Sequence, residues 1–183
     1  MVAELRREGV MLLEGLKKVD FCLLNYVEMI KILQDRMAER EASVGGSCIG
    51  IGSGVTMNWP SSPVEGQVCH LLGEIEKVRI PDRVVDVESI GADGERVVRR
   101  KSIRGGVICR PVVWIFLVER LKEIFEGEPE GEVLRLFYFG QRPLDEVAKL
   151  MDEKRGRVVN LRDRVRYAAL GLAISNEAMK EFR

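Results

Sequence analysis

The first forty residues carry the pattern that most constrains the fold of this chain. Apolar residues recur there at every third or fourth position, which predicts one long amphipathic helix over residues 2–41. The apolar stripe consists of Leu5, Leu12, Leu16, Val19, Leu23, Val27, Ile30 and Leu33. A helical pattern of this length is typical of a coiled coil or a helical hairpin. The stripe is therefore expected to pack either on a second copy of the chain, giving a homodimer, or on later helices of the same chain.

The overall composition indicates a globular protein of one domain or two small ones. The chain has 183 residues, of which 46% are apolar and 32% are charged. Its 29 basic and 29 acidic residues cancel, which excludes a globally polybasic nucleic-acid binder but not a local basic surface. No apolar run approaches the roughly 20 residues that span a bilayer, and the N-terminus does not read as a secretory signal. We expect a cytoplasmic protein without a membrane partner.

The cysteines and the lone histidine give little sign of a metal site or of catalysis. The cysteines are irregularly spaced and form no close pair of the kind that zinc sites use. They are Cys22, Cys48, Cys69 and Cys109. A nucleophilic constellation would have to use His70, which lies in a predicted amphipathic helix, where a packed or surface histidine is the favoured interpretation. We therefore expect that the thiols are reduced, that the protein binds no metal or cofactor, and that it is not an enzyme. An activity that depends on His70 or Cys69 is kept as a minor alternative.

The middle of the chain alternates between flexible and regular patterns. Residues 43–63 are rich in glycine and serine, which favours a connecting loop over a phosphate loop, since no Gly-Lys-Ser/Thr follows. Residues 63–78 are predicted to be helical. Residues 83–103 contain two β-branched runs around Asp93-Gly94, a strong tight-turn signal, and therefore predict a β-hairpin.

The second arm of that hairpin is basic. Its cations are Arg96, Arg99, Arg100 and Lys101, with Arg104 just beyond. Such a ribbon could touch nucleic-acid phosphates. A solvated edge strand, which charge protects from edge-to-edge pairing, is the interpretation that the sequence favours.

The last part of the chain predicts a helix, an acidic connector and three further helices. Residues 111–126 form the first of these, and residues 113–132 have a charge balance of −4. The next three helices are expected around 133–139, from about Pro143, and from about Lys154. Asp152 is a candidate cap for the last of these helices. A connection of about four residues joins that helix to the one before it, which is the length of the turn in a helix-turn-helix.

The third of these helices is strongly basic on its polar side. Its predicted apolar face holds Val158, Leu161 and Val165, whereas residues 154–166 have a net charge of +5. The cations are Lys154, Arg155, Arg157, Arg162, Arg164 and Arg166. They cluster in the first half of the helix, where the helix dipole disfavours them unless an anion is near. Arginine can bind phosphate or guanine, and Asn160 can bind an adenine edge, so this helix suits the DNA major groove.

The C-terminal segment resembles region 4 of bacterial sigma factors and the helix-turn-helix of phage late-transcription activators of the RinA and ArpU type. The resemblance is carried by LRLFYFG (134–140), LDEVAKLM (144–151) and RGRVVNLRDRVRYAAL (155–170). The match runs without gaps over about 40 residues, roughly the last quarter of the chain, and many helix-turn-helix families share the second of these stretches. The resemblance implies that Arg155, Arg157 and Asn160 face DNA.

Several residues depart from the pattern of that family. Lys154 and Pro143 stand where the family has Ser or Thr caps, and Gly156 lies inside the recognition helix at a cost of about 1 kcal/mol relative to alanine. Gly156 either lets the backbone approach a phosphate or marks a helix that begins one turn later. The hairpin at 83–103 is also unlike the mostly helical family pattern.

The sequence as a whole predicts a mainly α protein with two parts. Residues 1–126 form a helical interaction region with the hairpin inserted, and residues 131–183 form a helix-turn-helix that binds double-stranded DNA. The predicted DNA contacts are Lys154, Arg155, Arg157, Asn160, Arg162 and Arg164. The expected function is sequence-specific transcription regulation in a phage or prophage, with RNA polymerase as a further partner. The alternative is a packaging protein similar to a small terminase subunit, with helices that oligomerise.

Overall fold

In a computed structural model, the chain is described over residues 2–43, 75–90 and 95–175. The described part is mostly helical, and its four β-strands form antiparallel pairs. This confirms the mainly α class and the inserted hairpin. The helices are α1 (Val2–Leu24), α2 (Tyr26–Ser43), α3 (Pro111–Ile124), α4 (Pro129–Val133), α5 (Leu144–Leu150) and α6 (Arg155–Ser175). A π-helical segment, Leu134–Phe139, continues directly from α4. The strands are β1 (Lys77–Ile80), β2 (Arg83–Ile90), β3 (Arg96–Ile103) and β4 (Gly106–Cys109).

The N-terminal helix predicted as continuous is two helices that meet at Asn25. Asn25 is buried, and its side-chain amide donates a hydrogen bond to the carbonyl of Phe21, 2.9 Å away, the same oxygen that its backbone N–H uses. Competition of this kind between an Asn side chain and the backbone is a common cause of helix interruption. The prediction of one helix over residues 2–41 is therefore wrong at this point.

The apolar stripe is also partly corrected. Leu16, Val19, Leu23 and Leu33 are buried as predicted, but Leu12 and Val27 are 45% and 55% exposed. The place of Val27 in the core is taken by two residues that the periodicity did not single out, Tyr26 and Met29. Tyr26 is drawn inward because its ring packs on that of Phe139, with the ring centroids 5.0 Å apart.

The predicted hairpin over residues 83–103 is confirmed and is longer than expected. β2 and β3 pair antiparallel from Arg83 opposite Ile103 to Ile90 opposite Arg96. β1 and β4 extend the same two chain segments, with Val78 opposite Ile108. The sequence did not predict either of these outer strands, and residues 77–78 are strand rather than the end of a helix. The rest of the helix predicted over 63–78, the glycine-rich connection and the turn at Asp93-Gly94 lie outside the described residues.

The main core joins the N-terminal helices to the C-terminal ones. It contains buried side chains from α1, α2, β1, β4, α3, the π-helical segment and the second half of α6. Trp114 of α3 and Tyr138 are its largest fully buried side chains. Most of the other members of this core are aliphatic side chains.

A smaller core cluster holds α5 against the first half of α6. Its buried members are Val133, Leu136, Val147, Ala148, Val158 and Leu161. The predicted apolar face of the third C-terminal helix is therefore confirmed, because Val158, Leu161 and Val165 are all buried. At the end of α5, Leu150 is 44% exposed and lies outside this cluster. No helix within the described residues is long and apolar enough to cross a membrane.

Candidate nucleic-acid interface

A short connection sets the position of α6 relative to α5. Met151–Lys154 separates the two helices, the four residues that the sequence indicates. Asp152 has a left-handed backbone with φ of 52°, and the N–H of Glu153 donates to the carbonyl of Ala148 over 2.9 Å. Asp152 thus forms part of the turn after α5. The backbone N–H groups of Arg157 and Val158 instead bond to the carbonyl of Lys154, which lies immediately before α6.

Three of the predicted DNA contacts lie together on the exposed side of α6. Arg157, Asn160 and Arg164 are separated by three and four residues, which places them on one helix face. All three are exposed, and Tyr167 continues the same face with 55% of its surface accessible. Tyrosine hydroxyls are common phosphate donors. The spacing of three residues after Arg164 is the signal by which Tyr167 could have been found from the sequence.

The other predicted contacts are placed differently. Lys154 and Arg155 are exposed at the beginning of α6, and Arg155 reaches back across the turn to Asp145 of α5, with 2.7 Å between its Nε and the carboxylate. Arg162 is only 24% exposed at its side chain, and it bonds to the neighbouring Asp163 over 2.9 Å. Arg162 therefore does not share the face that holds Arg157 and Arg164.

The arginines of the exposed face are paired with carboxylates of the same chain. The Nε of Arg157 lies 3.2 Å from a carboxylate oxygen of Glu153. The Nη1 of Arg164 lies 3.0 Å from a carboxylate oxygen of Glu130 in α4. The local charge of +5 that the sequence shows is thus offset in space by acidic residues from outside residues 154–166. The side-chain amide of Asn160 makes no hydrogen bond within the described residues, so it is available to a ligand.

The pair between Glu130 and Arg164 is asymmetric. The side chain of Glu130 is 8% exposed, whereas that of Arg164 is 73% exposed. The carboxylate is held in place by its surroundings, and the guanidinium can leave it by rotation of an exposed side chain. A buried carboxylate that loses its partner is costly, so Glu130 resists the departure of Arg164.

A second ionic cluster, which the sequence did not predict, fixes the opposite side of α6 to α1. Arg166 lies 2.9 Å from a carboxylate oxygen of Asp20, and the hydroxyl of Tyr138 donates to the other oxygen over 2.9 Å. Burial raises the pKa of Asp20 above its ordinary value, although the hydrogen bond from Tyr138 and the charge of Arg166 act against this. Arg166 also bonds to Asp163 over 3.2 Å. This cluster positions α6 and is turned away from the exposed face.

A groove of about 650 Å³ lies near the connection, between the end of α3, α4 and the end of α5. Its apolar lining includes Phe125, Leu134 and Phe139, and its rim is mainly acidic. The rim carboxylates belong to Glu126, Glu128, Glu132 and Glu153. A rim of this charge repels phosphate, so the groove does not extend the basic face toward DNA.

The described cysteines and acidic residues bear on the expected absence of reactive thiols and of a metal site. Cys22 is buried and Cys109 is partly buried, and both are free thiols. Burial raises the pKa of the Cys22 thiol, which makes it less reactive. Across residues 2–43, 75–90 and 95–175, no group of three or more His, Cys, Asp or Glu side chains is arranged to hold a metal ion. Cys48, Cys69 and His70 lie outside those ranges.

Comparisons of the chain with models of protein families, with curated protein sequences and with solved structures found no match.

Proposed function

We propose that this protein binds double-stranded DNA through α5, the connection and α6, used as a helix-turn-helix with α6 as the recognition helix. The observation that carries this proposal is the single exposed face formed by Arg157, Asn160 and Arg164. It joins two cations to an amide that has no hydrogen-bond partner among the residues that the structure describes, which is the combination that binds phosphates and base edges in a major groove.

The placement of charge along α6 supports the same function. The cations begin in the first turn of the helix, where the positive end of the helix dipole opposes them. In the free protein, Asp145 and Glu153 offset Arg155 and Arg157 at that end, and we infer that the phosphates of a duplex take over this role on binding. Gly156 adds to this argument, because a Cβ built on it meets nothing within 4 Å. Packing inside the protein does not require glycine there, whereas close approach of a phosphate to the backbone does favour it.

The proposed biological role is sequence-specific regulation of transcription, with the resemblance to phage late activators as its support. Contact with RNA polymerase and dimerisation through α1 and α2 are parts of the same proposal. The exposed leucines of α1, Leu12 and Leu13, are available to such a partner because 45% and 52% of their surfaces are accessible.

Selection of bound sequences from random duplexes tests the specific part of the proposal. Enrichment of one motif supports regulation, and uniform recovery of all sequences argues for a packaging role instead. Fluorescence anisotropy with the selected duplex then tests the interface. We expect Arg157→Gln with Arg164→Gln to reduce affinity and to lower the salt slope of binding by about two, since each phosphate contact contributes about 0.9.

The matched control removes two arginines from other surfaces. Arg120 and Arg135 are exposed, and each is paired with a glutamate three residues away, much as Arg157 is paired with Glu153 four residues away. Arg120→Gln with Arg135→Gln therefore causes the same change in net charge without altering α6. Equal effects of the two double variants would contradict the assignment of α6 as the recognition helix.

A further inference from the structure

The β2–β3 ribbon, residues 83–90 and 96–103, has a role that the proposed recognition helix does not explain. Each strand has eight residues, so the ribbon is about 26 Å long at about 3.3 Å per residue. Within the described part of the chain, β2 and β3 pair only with each other. A two-stranded ribbon alone is marginally stable in water, so its persistence needs an anchor, an occupant or both.

The anchor lies at the base of the ribbon. Arg83 donates to the side-chain carbonyl of Asn25 over 2.5 Å, at the junction of α1 and α2. On the opposite strand, Lys101 donates to the backbone carbonyl of Gln141 over 3.1 Å, and Ile103 is buried. Gln141 lies three residues before α5. The base of the ribbon is therefore fixed to the segment that leads into the proposed helix-turn-helix.

The rest of the ribbon is largely open to solvent. Val84 and Val98 lie on the same face and are 64% and 61% exposed. Arg99 and Arg100 are also exposed, one on each face, because successive strand residues point to opposite sides. Val87 is the one buried side chain in the described part of the ribbon beyond its base. Exposed valines next to arginines on an extended ribbon are suited to a partner that offers both apolar contacts and negative charge.

The charge on the ribbon is one-sided and weakly neutralised. β3 contains four basic residues and no acidic residue, whereas β2 contains one basic and two acidic residues. Arg100 lies 3.7 Å from Asp86, and both side chains are mostly exposed, so this ion pair contributes little. Arg99 has no ion pair within the described residues. Arg99 and Arg100 are thus freer to bind an external anion than Arg157 and Arg164 of α6, which are held by Glu153 and Glu130.

We propose that the ribbon is a second DNA-binding arm, which contacts duplex phosphates through Arg99 and Arg100. This inference rests on the proposed function, since it assigns DNA to the ribbon as well as to α6. Duplex DNA is the occupant because its charge complements β3 and because its grooves admit a two-stranded ribbon. At about 3.4 Å per base pair, the ribbon length adds about eight base pairs to the bound site.

The test compares three double variants with the wild-type chain by fluorescence anisotropy. The duplexes carry the selected site, or a mixture of random sequences if none is enriched, with flanks of zero or about ten base pairs. We expect Arg99→Gln with Arg100→Gln to lower affinity for the flanked duplex about tenfold and to reduce the salt slope by about two. We expect it to leave affinity for the short duplex unchanged. The control, Arg120→Gln with Arg135→Gln, should have a much smaller effect.

The outcomes separate this proposal from that for α6. The ribbon is not a DNA arm if its variant binds the flanked duplex as tightly as the wild type does. The same conclusion follows if the ribbon variant and the control variant lose the same amount of affinity. If it instead dissociates a dimer by light scattering while its DNA affinity is unchanged, the ribbon pairs with a second copy. If Arg157→Gln with Arg164→Gln has no effect while the ribbon variant weakens binding, the assignment of α6 fails and that of the ribbon stands.

Discussion

The ion pair between Glu130 and Arg164 predicts a variant that binds DNA more tightly than the natural sequence. In the free protein, Arg164 is held 3.0 Å from the Glu130 carboxylate. To reach a phosphate, the guanidinium must leave that carboxylate, and the cost of doing so reduces the affinity. Glu130→Gln keeps the shape of the side chain and removes its charge. The replacement should therefore release Arg164 and strengthen DNA binding.

The size of the effect follows from the exposure of the two partners. Pairs between exposed side chains contribute about 0.2–1 kcal/mol, and a buried carboxylate adds a desolvation cost when its partner leaves. Glu130 is 8% exposed and Arg164 is 73% exposed, so the pair lies near the upper end of the exposed range. A value of about 1 kcal/mol corresponds to about a fivefold lower dissociation constant.

The control is Glu132→Gln, which makes the same change in charge two residues away. Glu132 is paired with Arg135 on the same segment, with 2.6 Å between the two groups, and it does not contact α6. Anisotropy titrations at one fixed salt concentration should show a gain for Glu130→Gln that clearly exceeds the gain for Glu132→Gln. The excess measures the specific pair, because both variants change the long-range field alike.

A double-mutant cycle with Arg164→Gln isolates the mechanism. In that background Glu130 has no arginine to hold, so Glu130→Gln should give no more affinity than Glu132→Gln does. The reasoning is refuted if the excess gain from Glu130→Gln persists without Arg164, or if the two glutamine variants bind equally well in the natural background. Thermal unfolding of each variant confirms that the protein is folded at the titration temperature.

Three other substitutions test the fold and the site. Leu161→Ala should lower the free energy of unfolding by about 2–5 kcal/mol in urea titrations, because it opens the small core between α5 and α6, and a cost below about 1 kcal/mol would contradict that packing. Gly156→Ala should stabilise the helix by up to about 1 kcal/mol in thermal unfolding while weakening DNA binding, and unchanged affinity would exclude close backbone approach. Asp20 has a pKa raised by burial, so its contribution to stability is complete below about pH 4, its ordinary range, and is lost as the pH rises through the raised pKa. The free energy of unfolding of the wild type relative to Asp20→Asn should accordingly fall as the pH increases from about 4 to 7, and a constant difference would show that the pKa is not raised.

Local patterns predicted the elements whose contacts are close in sequence. The hairpin over 83–103 follows from two β-branched runs beside a turn signal, since each strand pairs with its immediate neighbour. The burial of Val158, Leu161 and Val165 follows from helical periodicity alone. In both cases the local pattern indicates the element, and the prediction is confirmed. Contacts with other segments, such as those of Arg83 and Lys101 at the base of the hairpin, add to its stability.

Long-range pairing is what the sequence could not show. β1 is stabilised by β4 across about thirty residues, and its short run KVRI has too few positions for strand alternation to differ from a helix end. At the break between α1 and α2, the side-chain carbonyl of Asn25 accepts a hydrogen bond from Arg83, which lies 58 residues away in the chain. In the candidate site, the partner of Arg164 is 34 residues away in the chain, so residues 154–166 alone suggested a free charge of +5.

At α6, the balance of basic and acidic residues in the chain appears as pairs between neighbouring side chains. Carboxylates from α4, α5 and the connection neutralise arginines that the sequence alone presents as a basic cluster. Such pairs are individually weak because one or both partners are exposed, whereas a duplex offers a dense row of phosphates and releases bound counterions. Exchange of an internal carboxylate for a phosphate is then nearly balanced for each arginine. Removal of one glutamate should consequently change DNA affinity at α6 more than it would at Arg99, which has no ion pair within the described residues.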